Sequence, residues 1–164
     1  MSATIRPRSI MLQADDTTQS SSAAARRGWI PIPSRSRTPG RSRPLRLLVV
    51  EDEAISAEAI RLAVCDLGHV VCGTAATEEE AVAIASRDRP DLALMDVRLA
   101  GGDGIEAARR LNLRYGIRSI FLSGYADHGI MARITETYPL GIVHKPFSPS
   151  QLKTALDLAA RRLR

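Results

Sequence analysis

The sequence predicts an α/β fold: a doubly wound, five-stranded parallel sheet with helices on both faces. Across residues 45–164, five short apolar runs alternate with segments whose apolar residues recur at helical spacing. The runs are apolar along most of their length, which is typical of parallel strands that are buried on both faces. Parallel strands are joined by right-handed crossovers, so we expect the helices to cover both sides of the sheet.

Each of the five apolar runs has the length of one strand and is bounded by polar residues or glycine. The runs are LRLLVV at 45–50, HVVCGTA at 69–75, DLALM at 91–95, GIRSIFLS at 116–123 and LGIVH at 140–144. In such sheets, ligands bind beyond the carboxyl ends of the strands, where the strand order reverses. The polar residues that follow these runs are therefore the candidates for function.

The first two helices are predicted from apolar spacing and from their end signals. Gly68 ends the first helix, and Thr77 and Glu80 form a capping box that begins the second. The first helix is expected to face the core with the residues at helical spacing, which are Ile55, Ala59, Leu62, Ala63 and Leu67.

The other three helices follow the third, fourth and fifth strands. The third covers residues 105–114, and a weaker fourth covers about residues 127–137. The fifth begins with Ser148 as its cap, Pro149 at the first helical position and Gln151 at the third.

Residues 1–44 are predicted to be a disordered basic tail. They are rich in Ser, Arg and Pro without a hydrophobic period, so they cannot bury enough apolar surface to offset the entropy of ordering. They hold 8 Arg and 2 Asp, a net charge of +6, whereas residues 45–164 hold 15 Lys or Arg and 16 Asp or Glu, a net charge of −1. The tail is either a solvated segment or an Arg-rich arm for nucleic acid, an anionic surface or a partner. Nucleic acid is not the partner we expect of the folded part.

The cysteines and the lengths of the apolar runs indicate the cellular compartment in which we expect the protein. Cys65 and Cys72 fit no zinc or redox motif and lie among apolar residues, so we expect reduced thiols in the core. No apolar run approaches the roughly 18 residues of a membrane-spanning helix, and the N-terminus lacks the apolar stretch of a secretory signal. We therefore expect a cytoplasmic protein without membrane contact.

Carboxylates follow two of the predicted strands. Asp96 ends the third strand, and Glu51 and Asp52 come directly after the first. If these strands are neighbours, three carboxylates converge, and their mutual repulsion requires a cation or protonation. Oxygen ligands without His or Cys fit Mg²⁺.

A hydroxyl and an ammonium follow the last two strands. Ser123 ends the fourth strand and Lys145 follows the fifth. With the carboxylates, they make a site for a phosphoryl group carried on Asp96, because aspartate is a known nucleophile of that kind. Taken singly, the acid pair could complement a helix dipole and Lys145 could be solvated. The conjunction of groups from four strand ends favours the phosphoryl site.

These residues resemble the receiver domain of two-component response regulators, the CheY-like fold. The resemblance covers about residues 45–163 and depends on VEDE, LALMDVRLAGGDGIEAA, FLSG and HKPF. It implies the strand order 2-1-3-4-5 of flavodoxin-like sheets. FLSGYAD and PFSPSQL are also similar to the FATGUY subgroup and to the receiver half of general-stress anti-anti-sigma regulators.

The resemblance implies a role for each matching residue. Asp96 would accept a phosphoryl group from a histidine kinase or a histidine phosphotransfer protein. Mg²⁺ would be held by Glu51, Asp52, Asp96 and the backbone carbonyl of Arg98. Ser123 and Lys145 would bind phosphoryl oxygens. Gly124 would leave room for the donor, and the bond between Lys145 and Pro146 is expected to be cis.

The sequence departs from the family pattern at a regulatory position. Many receivers carry Tyr or Phe three residues before the lysine, where this chain has Ile142. The usual coupling between the hydroxyl residue and that aromatic side chain is therefore open to question. Tyr125 is a nearby aromatic residue that could take this part.

The chain ends with the fifth helix, so we expect a stand-alone receiver that signals by protein–protein contact. We expect no enzymatic activity apart from assistance to its own phosphorylation and dephosphorylation. A homodimer through the last strand and its flanking helices is one such contact. The alternatives are a phosphate sink without a target and a nucleic-acid binder that acts through the Arg-rich tail. A phosphohydrolase is disfavoured because Arg98 stands where a second Asp is needed.

Overall fold

The computed structural model describes residues 43–124 and 127–164, which contain one five-stranded parallel sheet. The order β2-β1-β3-β4-β5 confirms the predicted topology, with β2 and β5 at the edges. The strands are β1 Arg46–Val50, β2 Val70–Ala75, β3 Leu92–Asp96, β4 Arg118–Ser123 and β5 Gly141–His144.

Five helices cover the two faces of the sheet. They are α1 Ala54–Asp66, α2 Glu78–Asp88, α3 Gly104–Tyr115, α4 His128–Thr135 and α5 Pro149–Arg162. Helices α1 and α5 pack on one face, and α2, α3 and α4 pack on the other. None of the helices among the described residues is long and apolar enough to cross a membrane.

The core consists of two apolar clusters that the sheet separates. Along β1, Leu47 and Val49 belong to the cluster under α1 and α5, whereas Leu48 and Val50 belong to the cluster under α2 and α3. Successive strand residues point to opposite faces, so a strand between two helical layers is apolar along most of its length. This explains why the five runs in the sequence are mostly apolar and do not alternate with polar residues.

The helix ends largely follow their predicted signals. The Ser148 hydroxyl accepts a hydrogen bond from the Gln151 backbone N–H. In the other direction, the Gln151 side-chain oxygen accepts one from the Ser148 backbone N–H. At α2 the Thr77 hydroxyl caps the Glu80 N–H, but the Glu80 carboxylate accepts from the Ala76 N–H, one residue further back than in a capping box.

The predicted apolar face of α1 is only partly correct. Ala63 and Leu67 pack against the core cluster under α1 and α5, but other residues of the predicted face are exposed. The side chains that α1 buries are Ala57, Ile60 and Val64, whereas Ile55 is 80% exposed and Leu62 is 49% exposed. Two stripes of apolar residues satisfy helical spacing in this segment, and the sequence alone does not say which one meets the sheet.

The prediction that both cysteines are core thiols is also wrong. Cys65 is exposed near the end of α1. Cys72 is half-buried on β2, and its thiol donates to the Leu47 carbonyl at 3.2 Å. Burial raises the pKa of the Cys72 thiol.

The connection from β3 to α3 contains a feature that the sequence did not predict. Arg98–Leu99 and Gly102–Asp103 form a short antiparallel ribbon, with Gly101 in the turn at φ 77°. Residues 1–42, which include most of the predicted disordered tail, lie outside the described residues. The described chain begins at Arg43, whose guanidinium pairs with Asp91 at 2.6 Å.

Candidate functional site

Three carboxylates meet at the carboxyl edge of the sheet. Glu51 and Asp52 directly follow β1, Asp96 ends β3, and these two strands are hydrogen-bonded neighbours. One oxygen from each carboxylate lies within 4.8 Å of the other two. Glu51 is buried at 5% exposure, Asp96 is half-buried and Asp52 is exposed. The topology therefore produces the convergence that the strand ends predicted.

Lys145, which follows β5, reaches across the sheet edge to two of these carboxylates. Its Nζ lies 2.5 Å from Glu51 Oε2 and 2.7 Å from Asp96 Oδ2. Burial lowers the pKa of Lys145, but its hydrogen bonds to Asp96 and Glu51 outweigh burial and leave the pKa raised. The ammonium is therefore held in its charged form.

Burial dominates the electrostatics of Glu51. It raises the pKa of this carboxyl, and the charge of Asp96 raises it further, while the hydrogen bond from Lys145 opposes both. Lys145 thus stabilises the ionised form of a side chain that burial alone would favour as the neutral acid.

Backbone N–H groups of the β3–α3 connection orient two of the carboxylates. The Arg98 N–H donates to Asp96 Oδ1 at 3.1 Å, and the Ala100 N–H donates to Asp52 Oδ2 at 2.8 Å. The connection also packs against the end of β3, because a Cβ built on Gly104 would lie 1.7 Å from the Asp96 carbonyl oxygen. Sequence reasoning missed Ala100 and Gly104 as parts of the site; the GDG run was the only signal that could have pointed to Gly104.

Ser123 lies at the floor of the same site. It is buried at 1% exposure, and its Oγ has no hydrogen-bond partner among the described residues, a state it shares with Ser119 near the start of β4. Buried hydroxyls without a partner are uncommon and call for an explanation. The Ser123 carbonyl is engaged, since it accepts from the Lys145 N–H at 2.7 Å.

These groups line one pocket of about 270 Å³, which we call the carboxylate pocket. Its walls include every predicted phosphoacceptor, metal and phosphoryl-binding residue. The full set is Glu51, Asp52, Glu53, Asp96, Val97, Arg98, Ser123, Gly124 and Lys145.

The three predicted regulatory residues are placed differently. Tyr125 lies outside the described residues. Ile142 is half-buried on β5 and packs against the core cluster under α2, α3 and α4, away from the carboxylate pocket. Pro146 is joined to Lys145 by a cis peptide bond, as expected.

The donor set of the carboxylate pocket fits Mg²⁺. All three side chains of this group are carboxylates, and no His or Cys belongs to the group. Mg²⁺ prefers hard oxygen ligands and is usually held by one or two carboxylates together with water and phosphate oxygens. The unpartnered Ser123 hydroxyl lines the same pocket and has a hydrogen to donate.

With this fold and this site, the chain belongs to the response regulator receiver domain family, whose family model matches residues 47–157. Receiver domains are signalling domains of two-component systems, and they typically bind Mg²⁺ through acidic residues such as those gathered here.

Known proteins similar to this chain agree with the family. The transcriptional regulatory protein PdtaR of Mycobacterium tuberculosis is 31% identical over 74% of this chain and 59% of its own length. The phyllosphere-induced regulator PhyR of Methylorubrum extorquens is 35% identical over 69% of this chain and 42% of its own length. The chain therefore spans about half the length of these curated relatives.

A solved structure gives the same picture. The signal receiver domain of a modulated diguanylate cyclase from Desulfovibrio desulfuricans G20 superposes with a TM-score of 0.70 at 32% identity. The match covers 74% of this chain and 97% of that one.

Proposed function

We propose that this chain is a phosphoacceptor of a two-component system, in which Asp96 receives a phosphoryl group from a histidine kinase or a histidine phosphotransfer protein. One observation carries the proposal. Asp96 shares a single pocket with two other carboxylates, the Lys145 ammonium and the unpartnered hydroxyl of Ser123. An isolated carboxylate lacks the groups that stabilise a phosphoryl oxygen, and this pocket supplies them.

The chain's own residues divide the work of the transfer. A carboxylate oxygen of Asp96 forms a bond to phosphorus, while the bond from phosphorus to the donor nitrogen breaks and leaves its electron pair on the donor. Lys145 Nζ, already 2.7 Å from Asp96 Oδ2, neutralises one phosphoryl oxygen. The Ser123 hydroxyl donates to another and so gains the partner that it lacks.

The metal belongs to the same proposal. Glu51, Asp52, Asp96 and the backbone carbonyl of Arg98 are the groups that would hold Mg²⁺. When bound, this ion supplies positive charge for the phosphoryl oxygens and for the crowded carboxylates. Gly124 leaves the mouth of the pocket open, because it is exposed and a Cβ there would meet none of the described residues within 4 Å.

The output of the domain is proposed to be contact with another protein. Relatives are named as a transcriptional regulatory protein and a phyllosphere-induced regulator, which supports a regulatory role for this chain. Tyr125, Ile142 and Pro146 are the proposed regulatory positions. A phosphate sink would use the same pocket without a target, and a pull-down that depends on phosphorylation distinguishes the two.

The phosphoacceptor is tested by intact mass after incubation with Mg²⁺ and acetyl phosphate. We expect the wild type to gain the mass of one phosphoryl group and Asp96→Asn to gain none. Asp66→Asn is the matched control, because Asp66 is an exposed carboxylate at the end of α1, outside the carboxylate pocket. A phosphorylated Asp96→Asn protein, or an unmodified wild type, contradicts the proposal.

A further inference from the structure

The charges of the folded part are segregated between its two ends. Among the described residues, eight arginines have no carboxylate within ion-pair distance. Only Arg98 belongs to the carboxyl edge of the sheet, where the carboxylate pocket lies. The other seven lie at the opposite edge, which we call the arginine edge: Arg46, Arg89, Arg114, Arg118, Arg161, Arg162 and Arg164.

The topology gathers these arginines. All five strands are parallel, so they begin at one edge, and each helix returns to that edge before the next strand begins. Arg46 and Arg118 begin β1 and β4, while Arg89 and Arg114 stand at the ends of α2 and α3. The Arg89 guanidinium lies 5.0 Å from the centre of the Tyr115 ring, which joins the ends of these two helices.

The carboxylates without an ion pair show the opposite distribution. Asp66 is the one at the arginine edge among the described residues. Those at the carboxyl edge are Asp52, Glu53, Glu79, Glu80 and Asp127. The net charge of −1 for residues 45–164 therefore combines an acidic end with a basic end.

Local structural roles account for only part of the arginine edge. Arg46, Arg118 and Arg162 donate hydrogen bonds to backbone carbonyls, which fixes them in place. The charge of Arg46 is also partly offset by Asp88 and Asp91, whose pKa values it lowers. Arg114, Arg161 and Arg164 are exposed and have no hydrogen-bond partner among the described side chains or backbone groups. Their guanidinium groups are free to bind a ligand.

The composition of the edge indicates the ligand. All seven unpaired cations are arginines, whose planar guanidinium binds phosphate through two parallel hydrogen bonds. Tyr138, 73% exposed, stands beside them, since the Arg118 guanidinium donates to its carbonyl at 2.9 Å. Arginines next to an exposed aromatic ring suit a nucleic acid, with phosphates on the cations and a base on the ring.

We propose that the arginine edge binds the phosphate backbone of a nucleic acid. This goes beyond the phosphoacceptor function, and the two sites do not compete, because they lie at opposite ends of the parallel strands. The acidic carboxyl edge faces away from the polyanion in this orientation, so the charge distribution also orients the protein on its ligand.

The test is a fluorescence anisotropy titration of a labelled single-stranded RNA of mixed sequence with the full chain, from about 50 to 200 mM salt. The test variant combines Arg89→Gln, Arg114→Gln and Arg161→Gln. The matched control combines Arg61→Gln, Arg109→Gln and Lys153→Gln, which removes the same charge from ion-paired positions on the sides of the helices.

We expect the edge variant to bind at least tenfold more weakly than the control variant at low salt. Its slope of log affinity against log salt should fall by roughly 2, because three contacts to a single strand contribute about 0.7 each. An equal loss of RNA affinity in both variants overturns the proposal, because binding would then depend on net charge or on residues 1–42. The proposal is also overturned if the protein does not bind RNA but binds anionic phosphatidylglycerol vesicles, and only the edge variant loses that binding. The ligand would then be a membrane surface.

Thermal melting of both variants shows whether they are folded. If the triple edge variant does not fold, the single variants Arg114→Gln and Arg161→Gln replace it, each with an expected slope decrease of about 0.7. Unchanged slopes in both single variants then overturn the proposal.

Discussion

Gly104 fixes the backbone of the proposed phosphoacceptor. A Cβ at this position would lie 1.7 Å from the Asp96 carbonyl oxygen, and both atoms belong to the main chain or are rigidly attached to it. Gly104→Ala must therefore shift the end of β3 or the start of α3. We expect a loss of about 1–3 kcal/mol in the free energy of unfolding, typical of overpacking, and slower phosphorylation by acetyl phosphate.

Gly102→Ala is the control for this substitution. It lies two residues earlier in the same connection, and a Cβ there would meet only the Leu99 Cβ at 3.9 Å. Urea unfolding and the phosphorylation rate should both stay near the wild-type values. If Gly104→Ala behaves like Gly102→Ala in both measurements, the close approach does not constrain Asp96.

Lys145 stabilises the fold as well as the site. Lys145→Met removes the cation that pairs with the buried Glu51 carboxylate. Glu51 then lies next to the Asp96 carboxylate with no positive charge between them. We expect the variant to lose about 1–3 kcal/mol of unfolding free energy at pH 7 without added metal. The loss should shrink as the pH falls, because a carboxyl with a raised folded-state pKa favours the folded protein in its neutral form.

The pH window follows from Glu51. Its folded-state pKa is raised above the ordinary 4.5, so its neutral form contributes stability below pH 4.5 that is lost as the pH rises through the folded-state value. Urea unfolding from pH 4 to 7 measures the difference between the variant and the wild type. Arg61→Met is the control, because its pair with Glu58 is exposed and should contribute little. A constant difference across this range argues against Glu51 as its source.

At the scale of elements, His69 ties the start of β2 to the start of β1. Its Nδ1 accepts a hydrogen bond from the Leu45 N–H at 3.2 Å, so the neutral ring is the form that the fold requires. Burial lowers the pKa of His69, with the nearby Asp157 opposing and Lys153 reinforcing the shift. A lowered histidine pKa gives stability that is present above the ordinary 6.5 and lost as the pH falls through the folded-state value.

His69→Gln tests this linkage, because an amide oxygen can accept the same hydrogen bond without titrating. We expect the wild type to lose stability between pH 7 and pH 5, and the variant to lose less over the same range. The measurement is the urea midpoint at intervals of pH. Parallel curves for the two proteins would show that His69 does not contribute to the pH dependence.

The elements themselves could be read from the sequence because strands and helices differ in period. Five short, mostly apolar runs that alternate with helical segments indicated strands between two helical layers. Their order followed from the resemblance and is confirmed. The orientation of α1 could not be predicted, because Ile55 and Ile60 are equally apolar and only the position of the sheet decides between them. The ribbon after β3 was missed because its two-residue strands have no period.

At the scale of the whole molecule, the site was predictable and its internal contacts were not. The site depends on which strand ends meet, and parallel topology decides that for Glu51, Asp96 and Lys145. The hydrogen bond from the Ala100 N–H to the Asp52 carboxylate depends on loop geometry, which the residue pattern does not indicate. The charge segregation was also missed, because counting residues 45–164 gives a net charge without its position.

Convergence of three carboxylates should make the stability of the whole domain depend on magnesium. A ligand that binds only the folded state adds RT ln(1 + [L]/Kd), or roughly 2.7 kcal/mol at a hundredfold excess over Kd. We therefore expect Mg²⁺ to raise the unfolding midpoint of the wild type and EDTA to reverse the change. Asp52→Asn should abolish most of the increase, because it removes one ligand of the cluster.

Glu79→Gln is the matched control for the magnesium experiment. Glu79 is an exposed carboxylate at the same edge of the sheet but outside the cluster and without an ion pair among the described residues. The unfolding midpoint of Glu79→Gln should rise with Mg²⁺ as that of the wild type does, because ionic screening acts on Glu79 and Asp52 alike. If Asp52→Asn and Glu79→Gln respond equally, the increase reflects ionic strength, and the carboxylate pocket is not a magnesium site.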